Sequence, residues 1–154
     1  MLEWRGVMIL ANNKKAFFDY FIEDRLEVGI ELVGSEVKSV KAGKVSIKES
    51  FVRLINGELF IMGMSIVPWE FGSVYNPEER RVRKLLLHKK EIRKFNEKVS
   101  QKGYTIVALN LHLSRGRVKL DIALARGKKN YDKRESLAKK DQKRAMEREM
   151  KERY

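Results

Sequence analysis

VALNLHLSRGRVKLDIAL, Val107–Leu124, is the stretch that decides the fold. Val107, Leu109, Leu111 and Leu113 alternate with smaller or polar residues. Ser114-Arg115-Gly116-Arg117 then turns the chain, and Val118, Leu120, Ile122 and Leu124 alternate back. Successive side chains of a strand point to opposite faces, so period two read forwards and then backwards is an antiparallel hairpin. A second hairpin is marked in SFVRLINGELFIMG (Ser50–Gly63) by Asn56-Gly57, because a type I′ turn needs positive φ at both central residues. Upstream, Phe18, Tyr20, Ile22, Leu26, Val28, Ile30 and Leu32 are apolar, while Asp19, Glu23, Glu27 and Glu31 face away. That is one long strand, or two with a bend near Asp24-Arg25.

Helices interrupt the strands. Gly34 breaks the alternation, Ser35 is positioned to cap a helix over Glu36–Ala42, and Gly43 ends it. Ile92, Phe95 and Val99 keep helical spacing within Leu87–Lys102 until Gly103. Pro68 and Pro77 bracket a surface loop, WEFGSVYN. The expected class is mainly β: an OB-fold core of about six antiparallel strands with two to three flanking helices, the commonest nucleic-acid-binding barrel. Periodicity by itself leaves another small α+β sheet open.

The chain has 154 residues, with 34 Lys and Arg against 21 Asp and Glu, a formal charge of +13. Such self-repulsion points to a polyanionic partner, nucleic acid or an anionic surface. There is no cysteine, so neither a disulfide framework nor a thiolate metal site is available. No apolar run approaches the ~18 residues of a membrane span. A cytoplasmic protein without a membrane partner is expected. Residues 127–154 hold eleven Lys and Arg against six Asp and Glu, with no Val, Ile or Phe. That is too little apolar surface to offset the ordering entropy, yet the residues are good helix formers. A tail disordered when free and helical on a partner is expected.

Catalytic motifs are missing. His88 falls at a helix start and His112 is expected to face outward on a strand, and both read as surface residues. Neither has a second His or Cys at ligand spacing, so no metal and no cofactor are expected. There is no H-x-x-x-H, G-x-S-x-G or Walker-type loop. The expected protein is not an enzyme. Basic clusters stand out instead: Asn13-Lys14-Lys15, Lys38/Lys41/Lys44, Arg80-Arg81-Val82-Arg83-Lys84 and Lys89-Lys90. Used together they imply several phosphate contacts and a steep salt dependence. Two carboxylates among them, Glu27 and Glu36, either accept hydrogen bonds from base edges or sugar hydroxyls, hold a basic side chain in place, or are ordinary surface groups.

The motifs NKKAFFDYFIEDRLEVGIEL, GSEVKSVKAGKVSIKESFV, GELFIMGMSI, RRVRKLLLHKKEI, GYTIVALNLHL, RGRVKLDIALARGKK and YDKRESLAKKD, in this order, resemble one family: small protein B, the SsrA-binding proteins of bacterial trans-translation. The resemblance covers about residues 13–141. It implies an OB-fold that binds the tRNA-like domain of transfer-messenger RNA and brings it to stalled ribosomes. Alanyl-tRNA synthetase and elongation factor Tu would be partners indirectly, through the RNA. It implies RNA contacts from Asn13, Lys14 and Lys15, from Glu27, from Glu36, Lys38 and Ser39 with neighbouring Lys41, and from Arg83, Lys84 and Leu86. It further implies that Gly127, Lys128, Lys129, Asp132, Lys133 and Arg134 belong to a tail placed in the empty decoding site and mRNA channel of the small ribosomal subunit. Tyr131 departs from the pattern, standing where several members have histidine; its ring could stack on a base at ~1–3 kcal/mol.

The expected division is an N-terminal extension, 1–12, an RNA-binding barrel, 13–126, and a basic tail, 127–154, in a monomer. The extension runs beyond the family's usual start, and Met8 is a candidate initiator. The rival reading is a generic OB-fold binder of single-stranded nucleic acid, which would expose aromatic side chains along one strand face. A metal-dependent phosphoryl enzyme built on Asp19, Glu23, Glu27 and Glu31 has no accompanying motif.

Overall fold

The structure is a computed structural model that describes residues 3–4, 7–70, 76–101, 103–128 and 144. In chain order the elements are β1 (Glu3–Trp4), β2 (Val7–Asn12), α1 (Lys14–Asp19), β3 (Tyr20–Ile30), α2 (Gly34–Lys41), β4 (Val45–Ser46) and β5 (Phe51–Ile55). There follow β6 (Glu58–Met62), β7 (Ser65–Ile66), β8 (Arg83–Leu86), α3 (Lys89–Val99), β9 (Tyr104–Ser114) and β10 (Arg117–Gly127). Both expected hairpins form. Arg115 and Gly116 take φ of 51° and 77°, and Asn56 and Gly57 take 51° and 79°, the positive values a type I′ turn demands.

The strands run β9–β10–β3–β8–β6–β5, and β5 returns to β9 through Val52 opposite Ile106. All these pairings are antiparallel, so the sheet closes into a six-stranded barrel, in agreement with the expected OB-type class. Closure removes the edges that would otherwise offer unpaired backbone groups. The interior is filled by Val28, Ile30, Leu59, Ile61, Leu85, Leu120, Ile122 and Leu124, among others. Phe95 of α3 plugs it from one side.

The alternation of β9 is broken by a bulge that sequence periodicity cannot show. Asp121 is opposite Asn110, but the next residue, Ile122, is opposite Ala108. The slip returns Ile106 and Ala108 to the barrel interior with Leu111 and turns Val107 and Leu109 outwards. The expectation that Val107, Leu109, Leu111 and Leu113 share one face is therefore corrected. A bulge adds one residue to one strand, and the inward set shifts by one. The turned-out pair joins Ala16, Ala123 and Ala125 in a second, smaller core under α1.

Three further expectations change. The stretch from Phe18 is not all strand, because Lys14–Asp19 is helical and β3 starts at Tyr20. Phe18 satisfies both periods, and the burial of Ala16 against β9 decides for the helix. Part of residues 1–12 is integral to the barrel: β2 pairs with β9 and Leu10 enters the main core. α2 spans Gly34–Lys41, preceded by Val33 rather than capped by Ser35.

Gly63 shows where glycine is obligatory. Its φ is +75°, and a Cβ there would lie 2.5 Å from the backbone oxygen of Glu49. Gly63→Ala is expected to cost more than the ~1–2 kcal/mol of a left-handed conformation, because the clash is with backbone. Urea unfolding of the two proteins checks this; equal midpoints would contradict it.

Candidate nucleic-acid interface

The site begins with a buried ion cluster. α2 carries Glu36 on its inner face, and β8 and the turn before it carry Arg83 and Arg81. Glu36 is 3% exposed and Arg83 0%. Arg83 Nε donates to Glu36 Oε2 at 2.8 Å, and its two terminal nitrogens donate to the carbonyls of Met64, Arg81 and Glu79 at 2.9–3.1 Å. Arg81 Nε reaches both Glu36 oxygens, at 3.2 and 3.1 Å. The backbone N–H of Val33 donates to Glu36 Oε1 at 3.1 Å, the reach-back bond of a residue at the third helical position. Burial opposes ionisation of Glu36. The bonds from Arg81, Val33 and Arg83 outweigh it and hold the carboxyl below the usual range. Burial also draws the Arg83 guanidinium down from its usual value, against the pull of Glu36.

Four residues expected at the RNA surface are thus interior: Asn13, Glu36, Ser39 and Arg83 are all buried. Side chains with 6% exposure or less are not presented to an RNA in this conformation. Asn13 pins the start of α1 to β9. Its N–H donates to the Leu109 carbonyl at 2.8 Å, and Nδ2 donates to that of Ala108 at 2.9 Å. This sets Lys14 and Lys15 on the exposed side of α1. Glu36 and Ser39 turn inward on α2 and leave Lys38 and Lys41 exposed.

The remaining expected residues converge on β3 and β8. Glu27 is exposed on β3. Two positions on, Gly29 is opposite Leu86 of β8, which is 48% exposed. A Cβ at Gly29 would lie 3.2 Å from that of Leu86, so glycine lets the two strands hold this leucine on the surface. Glu27, Gly29, Leu86, His88, Glu91 and Lys119 line an open cleft of about 460 Å³. Lys84 lies on the other side of Leu86, where its bond to Glu58 at 2.7 Å raises its pKa above the usual lysine value.

Sequence reasoning missed what holds Glu27. His112 Nε2 lies 2.9 Å from Glu27 Oε2, and Nδ1 lies 2.8 Å from Asn110 Oδ1. Asn110 Nδ2 in turn donates to Asp121 Oδ2 at 3.0 Å. His112, expected as a surface residue, is 3% exposed and is corrected accordingly. Glu27 and His112 are 85 positions apart, so only barrel closure brings them together.

Of the expected tail residues, Gly127 and Lys128 are described. Lys129, Tyr131, Asp132, Lys133 and Arg134 lie outside the described residues. Gly127 is opposite Tyr20, and the Lys128 N–H donates to the Asp19 carbonyl at 2.9 Å. Gly127 and Lys128 therefore lie beside the end of α1. Two phenylalanines there are exposed, Phe17 at 44% and Phe21 at 39%. Arg25 lies over the Phe17 ring at 5.2 Å, and Arg126 and Lys128 lie over that of Phe21 at 5.6 and 5.2 Å. They belong to a helix and a strand start. That is not the strand-long aromatic row of a single-strand binder.

A closed OB-type barrel with exposed lysines on two helices and a carboxylate–leucine cleft on its outer face is the frame of a nucleic-acid-binding module. Residues 10–152 match the family model described as "SmpB protein". The chain belongs to the SmpB protein family. It is 76% identical over 144 residues to the SsrA-binding protein of Fusobacterium nucleatum subsp. nucleatum, across 94% of this chain and 97% of that one. To the SsrA-binding protein of Clostridium kluyveri it is 56% identical over 145 residues, covering 94% and 92%. A chain in a solved structure described as "tmRNA-SmpB: a journey to the center of the bacterial ribosome" matches with a TM-score of 0.65 and 47% identity. That match covers 81% of this chain and 86% of that one.

Proposed function

We propose that this protein is an RNA-binding factor of trans-translation, binding the tRNA-like domain of transfer-messenger RNA through its barrel and acting on stalled ribosomes. The observation that carries the reading is the Glu27–Leu86 cleft, bordered by Lys119 and built on a chain of this family. A cleft of this size meets folded RNA by shape, backbone and a few base or sugar contacts. The protein performs no catalysis of its own and works as a cytoplasmic monomer. Elongation factor Tu and alanyl-tRNA synthetase meet it through the RNA. Among the described residues no helix is long and apolar enough to cross a membrane.

Lys14, Lys15, Lys38 and Lys41 supply phosphate contacts, and Glu27 and Leu86 the contacts that distinguish the folded elbow of the RNA. Asn13, Glu36, Ser39 and Arg83 act by holding those groups in place. Gly127 to Arg134, with Tyr131 as a stacking ring, address the decoding site and mRNA channel. The place of Gly127 supports two separate surfaces: its register partner Tyr20 is seven residues from Glu27, or about 23 Å along β3. Competition binding tests the reading. The tRNA-like domain should bind far more tightly than unstructured RNA or plain duplex of equal length. Equal affinity for unstructured RNA would favour a generic single-strand binder.

Glu27→Ala is expected to weaken binding to the tRNA-like domain by about 10- to 100-fold, the ~1.5–3 kcal/mol of a hydrogen bond to a charged group. Filter binding at fixed salt measures it. A loss that tracks salt alone, with no change in preference for folded RNA, would show that Glu27 is only part of the field.

A further inference from the structure

The outer face of the barrel sets two carboxylates on one rung. Asp121 of β10 is the register partner of Glu27 of β3. Like charges directly opposite in an antiparallel pair repel. His112 closes the group from β9, and the direction of its hydrogen bonds can be worked out. The Asp121 carboxylate only accepts, so Asn110 turns its NH₂ towards it and its carbonyl oxygen towards the ring. Nδ1 therefore carries a proton. In the neutral ring Nε2 is then a bare lone pair, 2.9 Å from a carboxylate oxygen, acceptor facing acceptor. Either a second ring proton or a bound cation has to lie between them.

The geometry points to a divalent-cation site formed by Glu27, His112 and Asp121. One donor atom from each lies within 4.8 Å of the others. Metal–ligand bonds of ~2.1 Å need donors about 3.0–3.5 Å apart, so a modest inward swing is required. Glu27 is free to make it, because its side chain is 48% exposed. The buried ring is held from behind. A histidine ligand characteristically donates its other N–H to an oxygen that fixes tautomer and orientation, and Asn110 Oδ1 fills that role. Asn110 also fixes Asp121, so one amide orients two ligands.

One imidazole and two carboxylates suit Zn²⁺ or Mn²⁺, with water in the remaining positions. A chain of net charge +13 repels cations in general, so an ion that stays must be held by this group. Lys119, the register partner of His112, borders the same cleft and is the cation that an incoming ion would neighbour. Ion binding to the protein alone does not depend on the RNA reading.

Titrating RNA-free full-length protein with ZnCl₂ and with MnCl₂ by calorimetry near neutral pH tests the site. One ion per chain is expected. Glu27→Gln, His112→Gln and Asp121→Asn should each weaken it by about tenfold or more, and Asn110→Ala by a similar factor. Asp24→Asn, elsewhere on β3, should leave it unchanged. On the wild-type protein, Mn²⁺ should broaden the NMR signals of residues 27, 112 and 121 first, which decides the matter even if a variant fails to fold. No binding at millimolar metal, binding kept by all three ligand variants, or broadening centred on His88 and Glu91 would each overturn the proposal.

Discussion

Replacing Glu36 by alanine is expected to remove about 3–5 kcal/mol of folding stability, the cost of leaving a buried charge without its partner. Arg83 would keep its three carbonyl acceptors but lose the carboxylate that offsets its burial. At roughly 2–8 °C per kcal/mol for domains of this size range, the melting temperature should fall by ~10–20 °C. Arg81 is 27% exposed, so Arg81→Ala should cost much less. Replacing Glu36 and Arg83 together by apolar residues of similar volume should recover most of the loss, because neither charge is then stranded. The pH dependence carries a definite sign. Glu36 has a depressed folded-state pKa, so its contribution is complete above the unfolded value, ~4.3, and is lost as pH falls through the folded value. Wild type should lose stability on acidification more steeply than Glu36→Gln. Thermal melts across that acid window measure the difference, and parallel curves would show that the ion cluster is not what α2 depends on.

Ending the chain after Lys128 is expected to leave tRNA-like RNA binding within about twofold of wild type, since every strand of the barrel is kept, yet to abolish rescue of stalled ribosomes. This cut keeps β10 whole and keeps the Lys128 bond to Asp19 that closes the barrel beside α1. The 26 residues removed carry ten Lys and Arg but none of the side chains that form the cleft at Glu27 and Leu86. In a reconstituted system stalled on a message without a stop codon, peptide transfer should cease while RNA affinity persists. If the shortened chain also loses its affinity for the tRNA-like domain, the two-surface account fails.

Much of the barrel was legible because its signals are local. Asn56-Gly57 and Arg115-Gly116 announce their turns in two residues, and the β3 and β10 alternations lie within one strand each. What sequence could not show arises between strands. The bulge opposite Asp121 exists because β9 must bend to close the barrel, and no residue of β9 is a glycine or proline that would mark it. His112 looks like any polar residue on an outward face. Its burial comes from β2, which pairs Ile9 with it, and from Glu27, brought alongside by β10.

The candidate site divides the same way. Lys14, Lys15, Lys38 and Lys41 were readable as charge; the helix of Lys38 and Lys41 was visible in the sequence, whereas that of Lys14 and Lys15 was not. Glu36 was readable as an RNA contact, as the holder of a basic side chain or as a surface group, and only the fold shows that it holds Arg83. In the structure they face each other, so what looked like two contacts with RNA is one contact with each other. Leu86 is the converse. An apolar residue on a strand is read as core, but Gly29 opposite it makes room for its outward position.

Selection of one folded RNA is the task proposed for this barrel. Purifying the full-length protein with its RNA from cells that express transfer-messenger RNA, and sequencing what is bound, tests it most directly. Transfer-messenger RNA should dominate, with protection centred on its tRNA-like end, and Glu27→Ala should deplete it. A mixture of unstructured RNAs in proportion to their abundance, unchanged by Glu27→Ala, would contradict the account.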